Sequence, residues 1–174
     1  MHNARIPVPR SDELRTDVKE LLPLIAAPGR EPARTMAVLA RQPELLSPFL
    51  GWAAALALNG VLSHRDHELL ALRVASNCGS EFEWVEHVEY ARAAGMQDDE
   101  ITMVAGSVEE GQWSDAERAL LRLADELHDS CDVTDATWAI LVDHYEEPAL
   151  VEMLFVVGQY TMLSMVANAA GIPA

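Results

Sequence analysis

Apolar residues recur along this chain at three- and four-residue spacing, and no segment alternates with period two for long enough to read as a strand. The pattern predicts an all-α protein of about eight or nine helices. Leu14, Val18, Leu21, Leu22 and Ile25 follow an N-cap at Ser11 and Asp12, and Pro28 with Gly29 breaks that helix. A second helix starts near Pro32, a favourable first-turn proline, and carries Met36, Val38, Leu39 and Ala40 to Pro43. A third runs from about Pro48 through Phe49, Trp52, Ala55, Leu56 and Leu58 to the stop at Asn59 and Gly60. Upstream of all three, Pro7 and Pro9 make Ile6 to Arg10 an extended arm.

The chain is organised around the stretch from His64 to Gly95, two helices joined by a break at Asn77, Cys78, Gly79 and Ser80. Ser63 with Asp66 opens the first as a weaker form of the capping box, and Leu69, Leu70, Leu72, Val74 and Ala75 follow. The second holds Phe82, Trp84, Val85, Val88 and Ala91. Asp98, Asp99 and Glu100 open a short helix, where carboxylates complement the positive end of the dipole. After a polar loop from Ser107 to Gln112, Ser114 and Glu117 cap a helix carrying Leu120, Leu121, Leu123, Ala124 and Leu127 to about His128. Thr134 caps the next, through Trp138, Leu141 and Val142. The longest, from Leu150 to Ala170, is apolar nearly all round and is expected as the central buried helix. Arg92-Ala-Ala-Gly-Met96 echoes Asn168-Ala-Ala-Gly-Ile172, both closing apolar helices.

A chain of 174 residues fits one domain and can bury roughly two thirds of its unfolded surface. Nothing approaches a run of ~18 consecutive apolar residues, so no transmembrane helix is expected, and the N-terminus has no signal-like apolar stretch. The formal net charge of -16 repels phosphate backbones and anionic bilayers, which argues against nucleic-acid and membrane partners. Cys78 and Cys131 show neither CxxC nor zinc spacing, so free thiols in a reducing cytoplasm are expected.

Glu83 and His87 lie four apart on one helical stripe with Tyr90, and folding the hairpin brings Glu68 toward His87. A carboxylate beside an imidazole raises its basicity and fixes its tautomer, as a general acid–base requires. The bland alternative is a solvated Glu83–His87 pair on an exposed face. A metal site built from His64, Glu68, Glu83 and His87 is the competing chemistry, on a permissive pattern without HExxH. His2, His67, His128 and His144 read as surface or helix-end residues, and Cys78 as a small buried filler. The Met residues of the last helix, Met153, Met162 and Met165, read as core or subunit contact.

The run Glu68-x11-Ser80-x2-Glu83-x3-His87, followed by Ala-Arg-Ala-Ala-Gly, resembles the carboxymuconolactone decarboxylase and alkylhydroperoxidase D superfamily. The likeness continues through Trp113-Ser-Asp-Ala-Glu-Arg-Ala-Leu and Val157-Gly-Gln-Tyr to Asn168-Ala-Ala-Gly-Ile-Pro, about residues 30 to 173. It implies an alkylhydroperoxidase D-like helical domain over 31–174, preceded by an arm and helix over 1–30. The peroxidase branch carries Glu-x11-Cys-x2-Cys-x3-His; here Ser80 and Glu83 replace both redox cysteines, so thiol-peroxidase activity through Cys78 is not expected.

The resemblance points instead to the decarboxylase branch, whose members work without metal or organic cofactor. It implies His87 as proton donor, Glu68 as its orienting partner and Glu83 as a group that holds substrate or tunes His87. Ser80, Trp84, Tyr160 and Asn168 are the implied substrate-binding residues. The expected activity is a decarboxylase- or lyase-like reaction on a small carboxylated or cyclic metabolite; a non-catalytic small-molecule-binding protein is the alternative. Relatives commonly form trimers or hexamers, and the all-apolar last helix agrees with a homo-oligomer.

Overall fold

Side-chain caps set where most of the helices begin. In a computed structural model, which describes residues 4–22 and 33–174, the hydroxyls of Ser63, Ser80, Ser114 and Thr134 each accept a hydrogen bond from the backbone N–H three residues on. The described residues form nine α-helices and no strand: α1 Thr16–Leu21, α2 Arg34–Leu39, α3 Pro43–Asn59, α4 His64–Asn77, α5 Glu81–Ala93, α6 Asp98–Val104, α7 Asp115–Ser130, α8 Asp135–His144 and α9 Glu147–Ala170. The protein is all-α, as the spacing predicts. Ile25, Pro28, Gly29 and Pro32, and with them the expected boundary at 30/31, lie outside the described residues.

Several boundaries differ from the sequence reading. Ser11–Glu13 is a single 3-10 turn, so the first helix starts later, at Thr16. Helix α3 begins at Pro43 and carries Pro48 in its second turn, where the missing N–H removes one hydrogen bond and a long apolar helix tolerates the loss. Helix α9 likewise starts before Pro148, which falls in its first turn. The repeated Ala-Ala-Gly is one helix-ending device used twice. Gly95 and Gly171 both adopt positive φ, and Met96 and Ile172 donate back to Ala91 and Ala167.

The chain divides into two compact units, residues 1–59 with 166–173, and residues 60–165. In the first, Val18, Leu22, Ala40 and Leu46 form a small core against which Leu14, Met36 and Leu50 pack. The arm is tied down there, since the N–H groups of Arg5 and Ile6 donate to the carbonyl of Ala170 and Arg41 donates to that of Pro7.

In the second unit α4 packs against α5, α6 and α7, and α8 packs against α7. Leu69, Leu72, Ala91, Met96, Ile101, Val104, Val108, Trp113 and Leu121 are buried together. Val85, read as a core position, is exposed. Helix α9 is buried along one side only: Val151, Leu154, Phe155, Met162 and Met165 are exposed, Phe155 at 52% and Met165 at 64%. By length and composition α9 would suffice to cross a bilayer, but over half of its apolar stretch is buried inside the protein.

Trp113 anchors this core, and the chain makes room for it at Gly111. A Cβ on Gly111 would lie 1.9 Å from the Trp113 indole nitrogen, and the ring is packed into the core. Gly111→Ala is therefore expected to destabilise the protein by about 1–3 kcal/mol, the usual cost of overpacking. A urea midpoint unchanged from wild type would show that the indole moves aside freely.

Candidate active site

One residue fixes how α4 and α5 meet. Cys78 caps the C-terminus of α4, Gly79 follows at φ +58, and the N–H of Ser80 returns to the carbonyl of Ala75. Gly79 tolerates the left-handed conformation because it has no Cβ. Ser80 then turns its own hydroxyl to the N–H of Glu83 and starts α5. The same buried serine ends one helix and begins the next, leaving little slack in the angle between them. This accounts for Ser80 through the backbone, whatever else it touches.

That junction brings Glu68 of α4 against His87 of α5. His87 Nδ1 and Glu68 Oε2 are 2.7 Å apart, inside charge-assisted hydrogen-bond range. One turn before His87, Glu83 places its Oε2 3.9 Å from His87 Nε2, too far for a hydrogen bond. The trio is buried rather than solvated: Glu83 is 3% exposed, His87 7% and Glu68 8%. Glu83 Oε1 is buried with no hydrogen-bond partner. Burial pushes the Glu83 carboxyl up to about 7; His87 pulls it back and Glu86 pushes it further.

Tyr160 and His67 complete the cluster. The Tyr160 ring meets the His87 imidazole edge-on, with centroids 4.4 Å apart, and its hydroxyl is 2.8 Å from His67 Nε2. Burial holds the Tyr160 phenol far above its ordinary range, helped by Glu68 and Glu83, so it stays a phenol. Burial also lowers the His67 pKa, which keeps that imidazole neutral and able to accept from the phenol. The Tyr90 ring lies tilted against the imidazole, with centroids 5.6 Å apart.

His67 corrects the surface assignment made from sequence. It is buried, and the signal was present: Leu70, Ala71 and Val74 follow it at i+3, i+4 and i+7, an apolar stripe that His67 heads. Trp84 is half-buried and packs against the Leu69–Trp113 core. Asn168 is exposed and belongs to the first unit, whereas the site described above is built from second-unit residues alone. His64 is exposed at the start of α4, and among the described residues no group of three or more His, Cys, Asp or Glu is placed to hold a metal ion.

Cys78 is half-buried, with Sγ 3.9 Å from His128 Nδ1, and burial raises its pKa, away from the thiolate. Cys131 is exposed and, with φ 58, supplies the left-handed cap of α7. The open groove lined by Val142 to Glu147 and Leu150 contains none of the site residues.

Residues 43–126 match the model of the carboxymuconolactone decarboxylase family. No curated protein sequence matches the chain. Among solved structures it is similar to an uncharacterized peroxidase-related protein from Silicibacter sp. TM1040, at 17% identity and TM-score 0.86, over 98% of this chain and 91% of that one. An alkylhydroperoxidase AhpD core protein from Ralstonia eutropha JMP134 is similar at 18% identity and TM-score 0.85, over 99% and 93%. The debrominase Bmp8, as a cysteine-to-alanine variant in complex with 2,3,4-tribromopyrrole, is similar at 16% identity and TM-score 0.78, over 98% and 91%. The structures share the helical fold, and the matched segment contains Glu68, Ser80, Glu83 and His87. Residues 43–126 are thus similar to the carboxymuconolactone decarboxylase family, and the chain shares the helical fold of the alkylhydroperoxidase D-like structures.

Proposed function

We propose that the second unit carries an acid–base active site acting on a small carboxylated or cyclic metabolite, with His87 as the proton-transfer group and no metal or organic cofactor taking part. The observation that carries this reading is the buried Glu68–His87 pair, with Nε2 facing an underpartnered carboxyl. With Glu68 ionised, His87 keeps a hydrogen on Nδ1, and Nε2 becomes the reactive nitrogen. A neutral Nε2 accepts a proton; a charged imidazole donates one from Nε2 while Glu68 offsets its charge. In a decarboxylase-like reaction the substrate loses carbon dioxide, its electrons pass into a conjugated carbonyl, and His87 returns a proton to carbon. In an isomerase-like reaction the same nitrogen takes a proton from one atom and returns it to another. Glu83 is half-protonated near neutrality, so it can donate a hydrogen bond to a carbonyl or accept one from a ring N–H. The debrominase neighbour, in complex with a small planar ring, supports a ligand of that size. The raised Cys78 pKa gives no support to a peroxidase reading.

We also propose that the exposed apolar side of α9 joins copies of the chain as a homo-oligomer, since Leu154, Phe155, Met162 and Met165 form a contiguous nonpolar stripe. Sedimentation velocity at low and molar salt is expected to show the same assembly in both. A monomer at micromolar concentration in both would refute it.

His87→Ala is expected to lower turnover of an identified substrate by at least ~10²-fold. Unchanged turnover would remove His87 from the chemistry and favour a binding protein.

Glu83 also makes stability depend on pH. The unfolded carboxyl titrates at 4.5 and the native one at about 7, so the native state holds the extra proton between them. Stability therefore falls as pH rises through that window, by up to about 3 kcal/mol. Glu83→Gln is expected to flatten that dependence in urea unfolding at pH values on either side of the window. An equal slope in the variant would place the titration elsewhere.

A further inference from the structure

The ions available to a ligand restrict its charge. The second unit contains five arginines and no lysine against 22 aspartates and glutamates. Every one of those arginines is engaged. Arg65 binds Glu100 and Glu117, Arg73 binds Asp125, and Arg92 binds Glu89 and Asp98. Arg118 donates to the carbonyls of Val108, Gly111 and Trp113, and Arg122 pairs with Glu109.

At the site itself the charges that bear on Glu83 are His87 and Glu86. The one cation His87 can supply already has Glu68 at 2.7 Å. Among the described residues, a ligand carboxylate at Nε2 would therefore enter a buried place where no second-unit guanidinium is left to receive it and where Glu83 Oε2 lies 3.9 Å from that nitrogen. An ammonium would meet the edge of an imidazole that becomes positive when it works. Among the buried side-chain atoms left without a hydrogen-bond partner, Glu83 Oε1 is the one on the carboxyl beside His87.

Resting on the acid–base reading above, we infer that the substrate is a small ring uncharged at neutral pH, with one hydrogen-bonding group for Glu83, and not a carboxylate. Of the carboxylated and cyclic classes, this selects the second. The reaction class follows: proton transfer within an uncharged ring, since a substrate without a carboxylate has no carbon dioxide to lose.

Benzamide, benzoate and benzamidinium share one shape and differ in charge, so they isolate the preference. Each is titrated at neutral pH into the full chain labelled with 15N-histidine, the imidazole signals of His87 being assigned from their loss in His87→Gln. Benzamide is expected to shift them with at least ten-fold tighter binding than either charged analogue, and to keep that advantage in molar salt, where the field of the whole protein is screened. Benzoate or benzamidinium binding as tightly as benzamide overturns the inference, as does the absence of any shift with all three. A preference that disappears in molar salt belongs to the overall charge and also overturns it. The acid–base reading fails separately, through turnover that survives His87→Ala whatever the charge preference.

Discussion

The second unit is arranged to bury a carboxyl and an imidazole against each other. Either group alone would be expensive inside an apolar hairpin, and removal of one partner leaves the other uncompensated. The 2.7 Å contact between Glu68 and His87 is therefore a geometric demand on the backbone. The α4–α5 junction meets it with few degrees of freedom, because Ser80 closes the end of α4 and opens α5 in consecutive hydrogen bonds. A looser linker would let the hairpin relax and admit water between the two groups. The hairpin is in turn clamped from behind, where Arg73 of α4 holds Asp125 of α7 through two nitrogens.

The imidazole is held in more than one direction. Glu68 fixes one nitrogen, the Tyr160 ring meets the imidazole edge-on, and His67 holds the Tyr160 hydroxyl. His67 and Tyr160 thus act on His87 through its orientation. This locates α9 in the chemistry of the hairpin: one side of the helix supplies Tyr160, while the opposite side leaves Phe155 and Met165 in solvent.

Much of this was legible in the sequence where local physics decides. Ser63, Ser114 and Thr134 announced helix starts because a hydroxyl ahead of an apolar stripe satisfies an otherwise unpaired N–H. The i, i+4 relation of Glu83 and His87 followed from helical pitch alone. Other features depend on tertiary surroundings. Periodicity could not show which side of α9 meets the protein, since an all-apolar helix has no polar face to mark the outside. Pro48 misled for a related reason: proline signals a helix start locally, but packing carries α3 through it. Trp84 and Val88 are four apart on a face that helical pitch already turned toward the core, and the fold adds which core it meets, the cluster that contains Leu69 and Leu72. His67 was missed because histidine was read as polar rather than by the stripe it heads.

The two substitutions that separate this chain from the redox pattern act together on the same turn. Ser80 supplies a cap that a cysteine supplies poorly, because sulfur is a weak acceptor for the N–H of residue 83. Glu83, in the second redox position, brings an ionisable group to a place where burial prevents easy ionisation. A thiol there would be an electron carrier; a carboxyl with a pKa near 7 is a proton carrier and a hydrogen-bond switch. The Glu68–His87 contact, which orients the imidazole beside this position, is independent of which group stands there. Replacing sulfur by a proton-exchanging oxygen therefore changes the chemistry available at this turn while leaving intact the hairpin that buries it.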